Sequence, residues 1–384
     1  MSTDSKRKPF VVPMRGRSPD EAHRASTPLE LLFDLVFVVA VALASARLHH
    51  SIVEHHVGQG LLSYVMVFFA IWWAWMNFSW FASAYDTDDV PYRLLVMVQL
   101  AGALVLAAGV PAAFDEGKFQ IITLGYSIMR LALLVQWARA WRNDVPRRKT
   151  ISRYMIGMTL TQLAWLALLF VPAQYKLIGF SLLVLTEFVT PTWAESAGRT
   201  PFHPEHMVER YGLFTIIVLG ESILSASTAV QASVDIGRFD GFFIQTVIGA
   251  VLIVFNMWWT YFQQTEHNFT VSAKSMFAWG YGHFFIFASA AAVGAGLAAY
   301  VDFNTAGQGS TVLANAAVAV PVVVFMLSIG LIHRRMSWGN RTTYVSLLCF
   351  AAIAACIWSD SAVLYIGLIM SAFMAYKLAL TKGK

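Results

Sequence analysis

Charged residues are scarce in this chain of 384 residues. Asp, Glu, Lys and Arg make up only 13% of the sequence, whereas 58% of the residues are hydrophobic. An average soluble domain has about a quarter of its residues charged, and the mean hydropathy here is +0.60. These values exclude a water-soluble globular domain and indicate an integral membrane protein whose main partner is the lipid bilayer.

Cysteine is also rare, and the few cysteines present exclude a disulfide-stapled secreted protein. The two cysteines, Cys349 and Cys356, lie seven residues apart in one predicted helix, which separates them by about 10 Å, too far for a disulfide. No cleavable signal peptide is expected in the polar residues 1–28, so the first helix should be an uncleaved anchor. No GxxxxGK[ST] motif occurs in the sequence, which argues against ATP-driven pumping by this chain.

Long apolar runs take the place of these features. A helix needs roughly 20 apolar residues to cross the hydrocarbon core of a bilayer. Runs of this kind predict an all-α protein with about twelve transmembrane helices, over 29–47, 61–85, 92–113, 119–141, 151–172, 176–193, 209–230, 241–263, 276–300, 311–333, 342–358 and 361–380.

The basic residues predict how these helices are oriented. With both termini in the cytoplasm, 22 of the 27 Lys and Arg residues fall in inner segments, four fall in outer loops, and Arg130 lies within a span. Such an asymmetry is the usual sign of membrane topology. The net charge of +5 is therefore attributed to topology, and no nucleic-acid partner is expected. The predicted location is the cell (inner) membrane.

Weak internal similarity suggests a duplicated chain. Trp72-Trp73-Ala74-Trp75 recurs as Trp258-Trp259-Thr260-Tyr261, and the small-residue stripe 101–109 recurs at 288–296. Glu30 and Glu209 open the first and seventh predicted helices. We therefore expect two parallel six-helix halves, 29–196 and 209–384, which follow a polar segment (1–28) and are joined by a cytoplasmic linker (197–208), with the small-residue stripes at their junction.

Ionisable residues near the membrane midplane are the main candidates for a functional site. Arg130, Glu187 and Glu221 each lie about 16–18 Å from one end of a predicted span, and His283 lies slightly closer to an end. Because buried charges need partners, we expect Arg130 to pair with Glu187 or Glu221 and the remaining acid to be able to carry a proton. A static ion pair beside a neutral, hydrogen-bonded glutamate is the alternative.

Acidic residues also concentrate at predicted helix ends. Glu30 and Asp34 lie on one helical face, where they repel unless a cation, a proton or an arginine joins them; favourable interaction with the helix dipole is the alternative. Asp86, Asp88 and Asp89 form an acidic cluster on the predicted inner side. This cluster could dock Arg93 or collect cations, or it could be an ordinary solvated loop.

Histidines raise the question of a metal site. His49, His50, His55 and His56 flank the first outer loop, and His203 and His206 lie in the central inner loop. Membrane di-iron enzymes use several closely spaced histidine boxes on the cytoplasmic side, whereas the larger group here is predicted outside. We therefore interpret all six as exposed loop histidines and expect no metal and no cofactor.

Several motifs together resemble one protein family. They are PLELLFDLVFVVAV at 28–41, Trp80-Phe81-Ala82, Asp86-Thr87-Asp88-Asp89, ERYGLFTIIVLGES at 209–222 and Trp279-Gly280-Tyr281-Gly282-His283. In this combination the chain resembles the bacterial low temperature requirement A (LtrA) family, which is named for a growth phenotype in the cold. The ionisable motif residues are Glu30, Asp34, Asp86, Asp88, Asp89, Glu209, Glu221 and His283. The resemblance assigns no catalytic or transport role to them.

Midplane charges in a duplicated bundle favour a secondary transporter or permease for protons, cations or a small solute. An ion or proton channel with the same architecture is the alternative closest to it. An integral-membrane enzyme would need a convergent catalytic or metal cluster, and a scaffold would need none. The sequence is compatible with an oligomer.

Overall fold

The computed structural model describes residues 10–18, 21, 24–235, 237, 240–263, 273–306, 310–333 and 341–382. All regular structure in these residues is helical, as predicted. Twelve α-helices have 15 to 34 residues, and one helix, α4, has seven. They are α1 Pro28–Val53, α2 Val57–Tyr85, α3 Val90–Ala108, α4 Val110–Glu116, α5 Gln120–Asn143, α6 Arg148–Leu168, α7 Ala173–Glu195, α8 Pro204–Asp235, α9 Gly241–Phe262, α10 Ala273–Ala306, α11 Thr311–Ile332, α12 Arg341–Ala355 and α13 Ala362–Lys382.

Eleven helical segments in the described residues are long and apolar enough to cross a bilayer, so the chain is a multi-pass membrane protein. Helix α6, which overlaps the predicted span 151–172 up to Leu168, is not among them. Its first turns carry Arg148, Lys149 and Arg153, and Gln162 lies further along it, which lowers its hydropathy. Its crossing of the bilayer, and with it the twelve-span topology, stays a prediction.

Helix ends differ from the predicted spans because polar residues continue a helix beyond its apolar part. Helix α1 extends to Val53 rather than 47, and α8 begins at Pro204 rather than 209. The predicted span 92–113 is interrupted at Gly109, where α3 ends and α4 begins. Pro111 lacks the N–H that would continue the helical ladder, which accounts for the break.

The described residues divide into two compact units. Unit 1 comprises the residues up to Ala40 together with Ala70–Tyr211. In it α3 packs against α5, α5 against α6, and α6 against α7. Gly102 of the predicted small-residue stripe meets α5 closely: a Cβ on Gly102 would lie 2.8 Å from the carbonyl oxygen of Gly125. Only glycine allows the two backbones to approach so closely.

Unit 2 comprises Val41–Phe69 and the residues from Gly212 onward. Here α9 packs against α13, and α10 packs against α11. A Cβ on Gly296, in the second stripe, would lie 2.0 Å from the carbonyl oxygen of Ala317, so this stripe also permits close helix contact. Both units take segments from both predicted halves, and the duplication of the chain stays a prediction.

Candidate functional site

The two acids of the first spanning helix are joined by an arginine. Glu30 and Asp34 lie one turn apart on α1, and Arg210 reaches them from the first turns of α8; all three are fully buried. Arg210 Nη1 lies 3.2 Å from Glu30 Oε1, and Arg210 Nη2 donates a hydrogen bond to Asp34 Oδ1. Of the three ways predicted to relieve their repulsion, the structure shows the arginine.

Neighbouring donors hold both carboxylates in place. The indole nitrogen of Trp75 in α2 donates to Asp34 Oδ1 at 2.7 Å. Glu30 Oε2 accepts hydrogen bonds from the backbone nitrogen and the hydroxyl of Thr27, at 2.8 and 3.0 Å. The Thr27 hydroxyl in turn accepts the backbone N–H of Glu30 at 3.3 Å. This reciprocal arrangement is a capping box at the start of α1.

The prediction that His203 and His206 are exposed is wrong. His206 is fully buried in α8, where its Nε2 lies 3.3 Å from Glu30 Oε1. His203 is also buried, and its Nε2 lies 2.9 Å from the carbonyl oxygen of Glu21. Both are buried because the central linker packs against α2 within unit 1, where the backbone N–H of His203 donates to the hydroxyl of Ser83 at 3.0 Å, and because α8 begins five residues before the apolar run.

A second arginine enters from the segment before α1. Arg24 is buried, and its guanidinium donates to the backbone carbonyls of Ser83 and, at 2.8 Å, Ala82 at the end of α2. Arg24 Nη2 lies 3.7 Å from Glu30 Oε1 and 4.0 Å from Asp86 Oδ2. Burial and repulsion from Glu30 raise the pKa of Asp86 to about 6, and burial lowers the pKa of Arg24.

These side chains form one buried group, which we call the acid–arginine cluster; its members are Arg24, Glu30, Asp34, Asp86, His206 and Arg210. With its acids and arginines ionised and His206 neutral, it has three carboxylates and two guanidiniums, one negative charge in excess. Six buried atoms of the cluster have no hydrogen-bond partner in the described structure: Arg24 Nε, Glu30 Oε1, Asp34 Oδ2, His206 Nδ1, Arg210 Nε and Arg210 Nη1. Such unsatisfied groups are rare in native proteins and require an explanation.

The predicted midplane ion pair is present, and it uses Glu187. Arg130 Nη2 donates to Glu187 Oε1 at 2.7 Å, and both side chains are buried. Trp165 donates to the same oxygen at 3.0 Å, and Trp73 donates to Glu187 Oε2 at 2.8 Å. Since both carboxylate oxygens are satisfied, this geometry favours the static alternative.

The surroundings of this ion pair include a further partner of Arg130 and a proline in the helix that carries Glu187. Arg130 also donates to the hydroxyl of Tyr126 at 2.6 Å, with the guanidinium 5.0 Å from the centre of its ring. Helix α7, which carries Glu187, continues through Pro191 to Glu195. Proline removes only one hydrogen bond, and packing in the bundle keeps the helix continuous.

Glu221 lies on α8 in unit 2 and is also buried. Its Oε1 accepts a hydrogen bond from Ser225 at 2.7 Å, and Ser45 is a second hydroxyl partner. Its Oε2 has no hydrogen-bond partner in the described structure. A Cβ on the exposed Gly220 would meet nothing within 4 Å, so α8 is not packed against another helix at that position. On the other side, Ser222 is packed under α10.

His283 of α10 makes two polar contacts within unit 2, apart from those of Glu221. It is fully buried, its Nδ1 is 2.7 Å from the carbonyl oxygen of Trp279, and its Nε2 is 3.2 Å from the hydroxyl of Tyr261. The contact with Tyr261 joins α9 to α10.

The remaining acidic candidates lie at helix ends. Asp88 adopts a positive φ of 49° in the turn between α2 and α3, and it pairs with Arg93 in two bonds of 2.7 and 2.9 Å. The docking of Arg93 that the sequence suggested is therefore present. Glu209 is exposed and accepts the backbone N–H of Ser26 at 3.2 Å.

Asp89 has a structural role at the start of α3. It caps that helix by accepting the backbone N–H of Tyr92 at 2.9 Å, and it binds Arg139 at 2.6 Å and the backbone N–H of Val12 at 2.8 Å. Burial alone would raise its pKa, but these donors outweigh burial and lower it.

The histidines near the first outer loop mostly follow the prediction. His50, His55 and His56 are exposed, whereas His49 is half-buried on α1 and lies 2.7 Å from Asp302. Both cysteines are buried and free. Among the described residues, no three His, Cys, Asp or Glu side chains form a group that could hold a metal ion.

Sequence reasoning missed the basic members of the acid–arginine cluster. Arg24 and His206 were assigned to polar inner segments because the apolar runs begin after them, and Arg210, at the start of the run 209–230, was counted only as an inner basic residue. One signal was available: two acids on one helical face require a counter-charge, and Arg210 directly follows Glu209 in the ERYG motif.

The comparison with known families decides the identity. The family model described as "Bacterial low temperature requirement A protein (LtrA)" matches residues 25–377, nearly the whole chain. The chain belongs to this family. The matched range of the LtrA family contains every predicted site residue, from Glu30 to His283.

One relative of this LtrA-family chain is an uncharacterized protein of Rhizobium meliloti (strain 1021). The two sequences are 26% identical over 288 residues, which cover 70% of this chain and 68% of the relative. No solved structure matches the chain.

Proposed function

We propose that this LtrA-family chain is a proton-coupled secondary transporter or permease of the cell membrane, and that Glu221 carries the proton. The observation that supports it is a buried carboxylate on a spanning helix, with one unpartnered oxygen and hydroxyl groups as its neighbours. An ionised carboxylate is costly in a bilayer without a counter-charge. A neutral, protonated Glu221 avoids that cost.

The contrast with Glu187 indicates which midplane acid can bind and release a proton with less disruption of its hydrogen bonds. Glu187 receives donors at both oxygens and pairs with Arg130, so releasing or binding a proton there would disrupt a satisfied network. Glu221 has no ion pair among the described residues, and its Oε2 is unpartnered. Loss and gain of a proton at Glu221 therefore require fewer bonds to be broken.

The test uses purified protein in liposomes that contain a pH-sensitive dye. An imposed pH gradient should collapse faster than in protein-free liposomes, either alone or when a cation or small solute of a tested panel is present. The Glu221→Gln variant should lose this flux, because an amide cannot carry the proton.

Glu205→Gln is the matched control, since Glu205 lies on the same helix but is exposed. It should transport as the wild type does. Undiminished flux in Glu221→Gln would remove Glu221 from the mechanism. Absence of flux for protons, common cations and all tested solutes would contradict the transport proposal and favour an enzyme or scaffold.

A further inference from the structure

We propose that the end of α2 forms a binding site for a small monovalent cation, and that Arg24 is its built-in occupant. The site consists of the carbonyl oxygens of Ala82 and Ser83 and the carboxylates of Glu30 and Asp86. It lies in unit 1 and does not involve Glu221, so cation binding here is independent of the proposed proton transport.

The oxygen atoms around Arg24 come from a cation-attracting part of the fold. The carbonyls at the end of a helix carry the negative end of its dipole, and Ala82 and Ser83 belong to the last turn of α2. Two carboxylates on the same side add to that field. Carbonyl and carboxylate oxygens are also the ligands that hard cations prefer.

The fit of Arg24 in this site differs from that of an arginine paired with a carboxylate. Arginine normally binds a carboxylate through two parallel hydrogen bonds, as Arg93 does with Asp88 at 2.7 and 2.9 Å. Arg24 lies 3.7 Å from Glu30 and 4.0 Å from Asp86, with no such fork to either. The two carboxylates therefore lie at ion-pair distance from the guanidinium without a hydrogen bond to it.

Unsatisfied atoms in the same place support this reading. Glu30 Oε1 is fully buried and has no hydrogen-bond partner, although three basic groups lie 3.2 to 3.7 Å away. Arg24 Nε is also buried without a hydrogen-bond partner. The guanidinium thus satisfies the two carbonyls, whereas Glu30 Oε1 has basic groups at ion-pair distance but no hydrogen bond.

The experiment removes Arg24 and supplies a free cation in its place. Purified full-length Arg24→Ala should have a lower melting temperature than the wild type in detergent. Millimolar guanidinium or K⁺ should raise that melting temperature by a few degrees, because a ligand that binds only the folded state stabilises it. Choline chloride is used to keep the ionic strength constant. Choline should not bind at the site itself, because it is bulky and has no N–H donor.

Arg17→Ala is the matched control, because Arg17 precedes α1 in the same segment and pairs with Glu21 on the surface. Its melting temperature, like that of the wild type, should not respond to these cations. Equal stabilisation of all three proteins, or no stabilisation of Arg24→Ala, would overturn the proposal. Glu30→Gln added to Arg24→Ala should abolish the response, and a response that persists there would also contradict the site.

A second variant is measured for the case in which Arg24→Ala does not fold. Arg24→Gln keeps an amide donor for the α2 carbonyls and removes the charge, and it is measured in the same way. If neither variant folds without added cation, the yield of folded protein with and without guanidinium becomes the measured quantity. An unchanged yield then counts against the proposal, as an unchanged melting temperature does.

Discussion

Arg210 bridges two carboxylates that lie one turn apart on another helix. Its Nη1 is 3.2 Å from Glu30 Oε1, and its Nη2 is hydrogen-bonded to Asp34 Oδ1. All three residues are fully buried, so each charge depends on the others for compensation. The bridge fixes the beginning of α8 against the beginning of α1 within unit 1.

Removing Arg210 should therefore destabilise the protein severely. Arg210→Met leaves two buried carboxylates facing each other, and breaking a buried ion pair in this way costs roughly 3–5 kcal/mol. Adding Asp34→Asn should restore part of the loss, because it removes one uncompensated charge. Thermal unfolding of the purified variants measures both effects.

Arg93→Met is the surface comparison, since the Arg93–Asp88 pair is partly exposed. It should cost less than about 1 kcal/mol. A similar cost for Arg93→Met and Arg210→Met, or strict additivity of Arg210→Met and Asp34→Asn, would contradict the bridge.

The ion pair between Arg130 and Glu187 predicts a second non-additive pair of substitutions. Arg130→Met leaves Glu187 buried without its cation, and it should fold poorly. Glu187→Gln in the same chain should rescue part of the loss, because its side-chain carbonyl can still accept the indole N–H of Trp73 or Trp165. The double-mutant cycle is read from melting temperatures, and a coupling of zero would show that the pair contributes nothing.

The apolar part of the fold could be predicted from the sequence, and its helix ends could not. Apolar runs identify where a helix lies in hydrocarbon, which is why all twelve long helices were expected. The polar turns at 204–208 and 48–53 continue α8 and α1, because the backbone hydrogen bonds of a helix do not depend on hydropathy. This extension brought His206 into the helix, where it contacts Glu30.

Ion pairs were partly predictable for a different reason. The cost of an isolated charge in the membrane required a partner for Arg130 and for the Glu30–Asp34 pair. Which partner is used depends on tertiary packing: Glu187 and not Glu221 meets Arg130, and Trp73, Trp75 and Trp165 supply donors that no spacing revealed. Asp89 proved to be a helix cap because hydrogen bonds of its loop decide its role.

Asp86 predicts a specific dependence of stability on pH. Its pKa is raised from an ordinary value of 3.8 to about 6 by burial and by Glu30. As pH rises, the unfolded chain therefore loses the Asp86 proton at a lower pH than the folded protein does. Its contribution to stability is present below pH 4 and is lost as pH rises through 6, by roughly 3 kcal/mol in total. Asp86→Asn should remove this decline.

Melting temperatures of wild type and Asp86→Asn between pH 4 and 7 measure the effect as a difference. Asp89→Asn should leave the slope of the curve in this range unchanged, because hydrogen bonds lower the pKa of Asp89 below its ordinary value of 3.8 and its contribution to stability is lost only at lower pH. Parallel curves for wild type and Asp86→Asn would show that Asp86 titrates normally in the folded protein.

The distribution of basic residues predicts the topology. Both termini should be cytoplasmic, because 22 of 27 Lys and Arg residues then face inward. Reporters fused at the C-terminus and inserted in the 50–58 loop should therefore give signals from opposite sides of the membrane. Signals from the same side would contradict the twelve-span arrangement.

The proton on Glu221 can be observed directly by infrared spectroscopy of the purified protein. A protonated carboxylic acid has a carbonyl stretching band that an ionised carboxylate lacks. At neutral pH the wild type should show such a band, Glu205→Gln should keep it, and Glu221→Gln should lose it. If Glu221→Gln instead removes only an ionised-carboxylate band from the wild-type spectrum, that result would contradict the claim that Glu221 is the proton carrier.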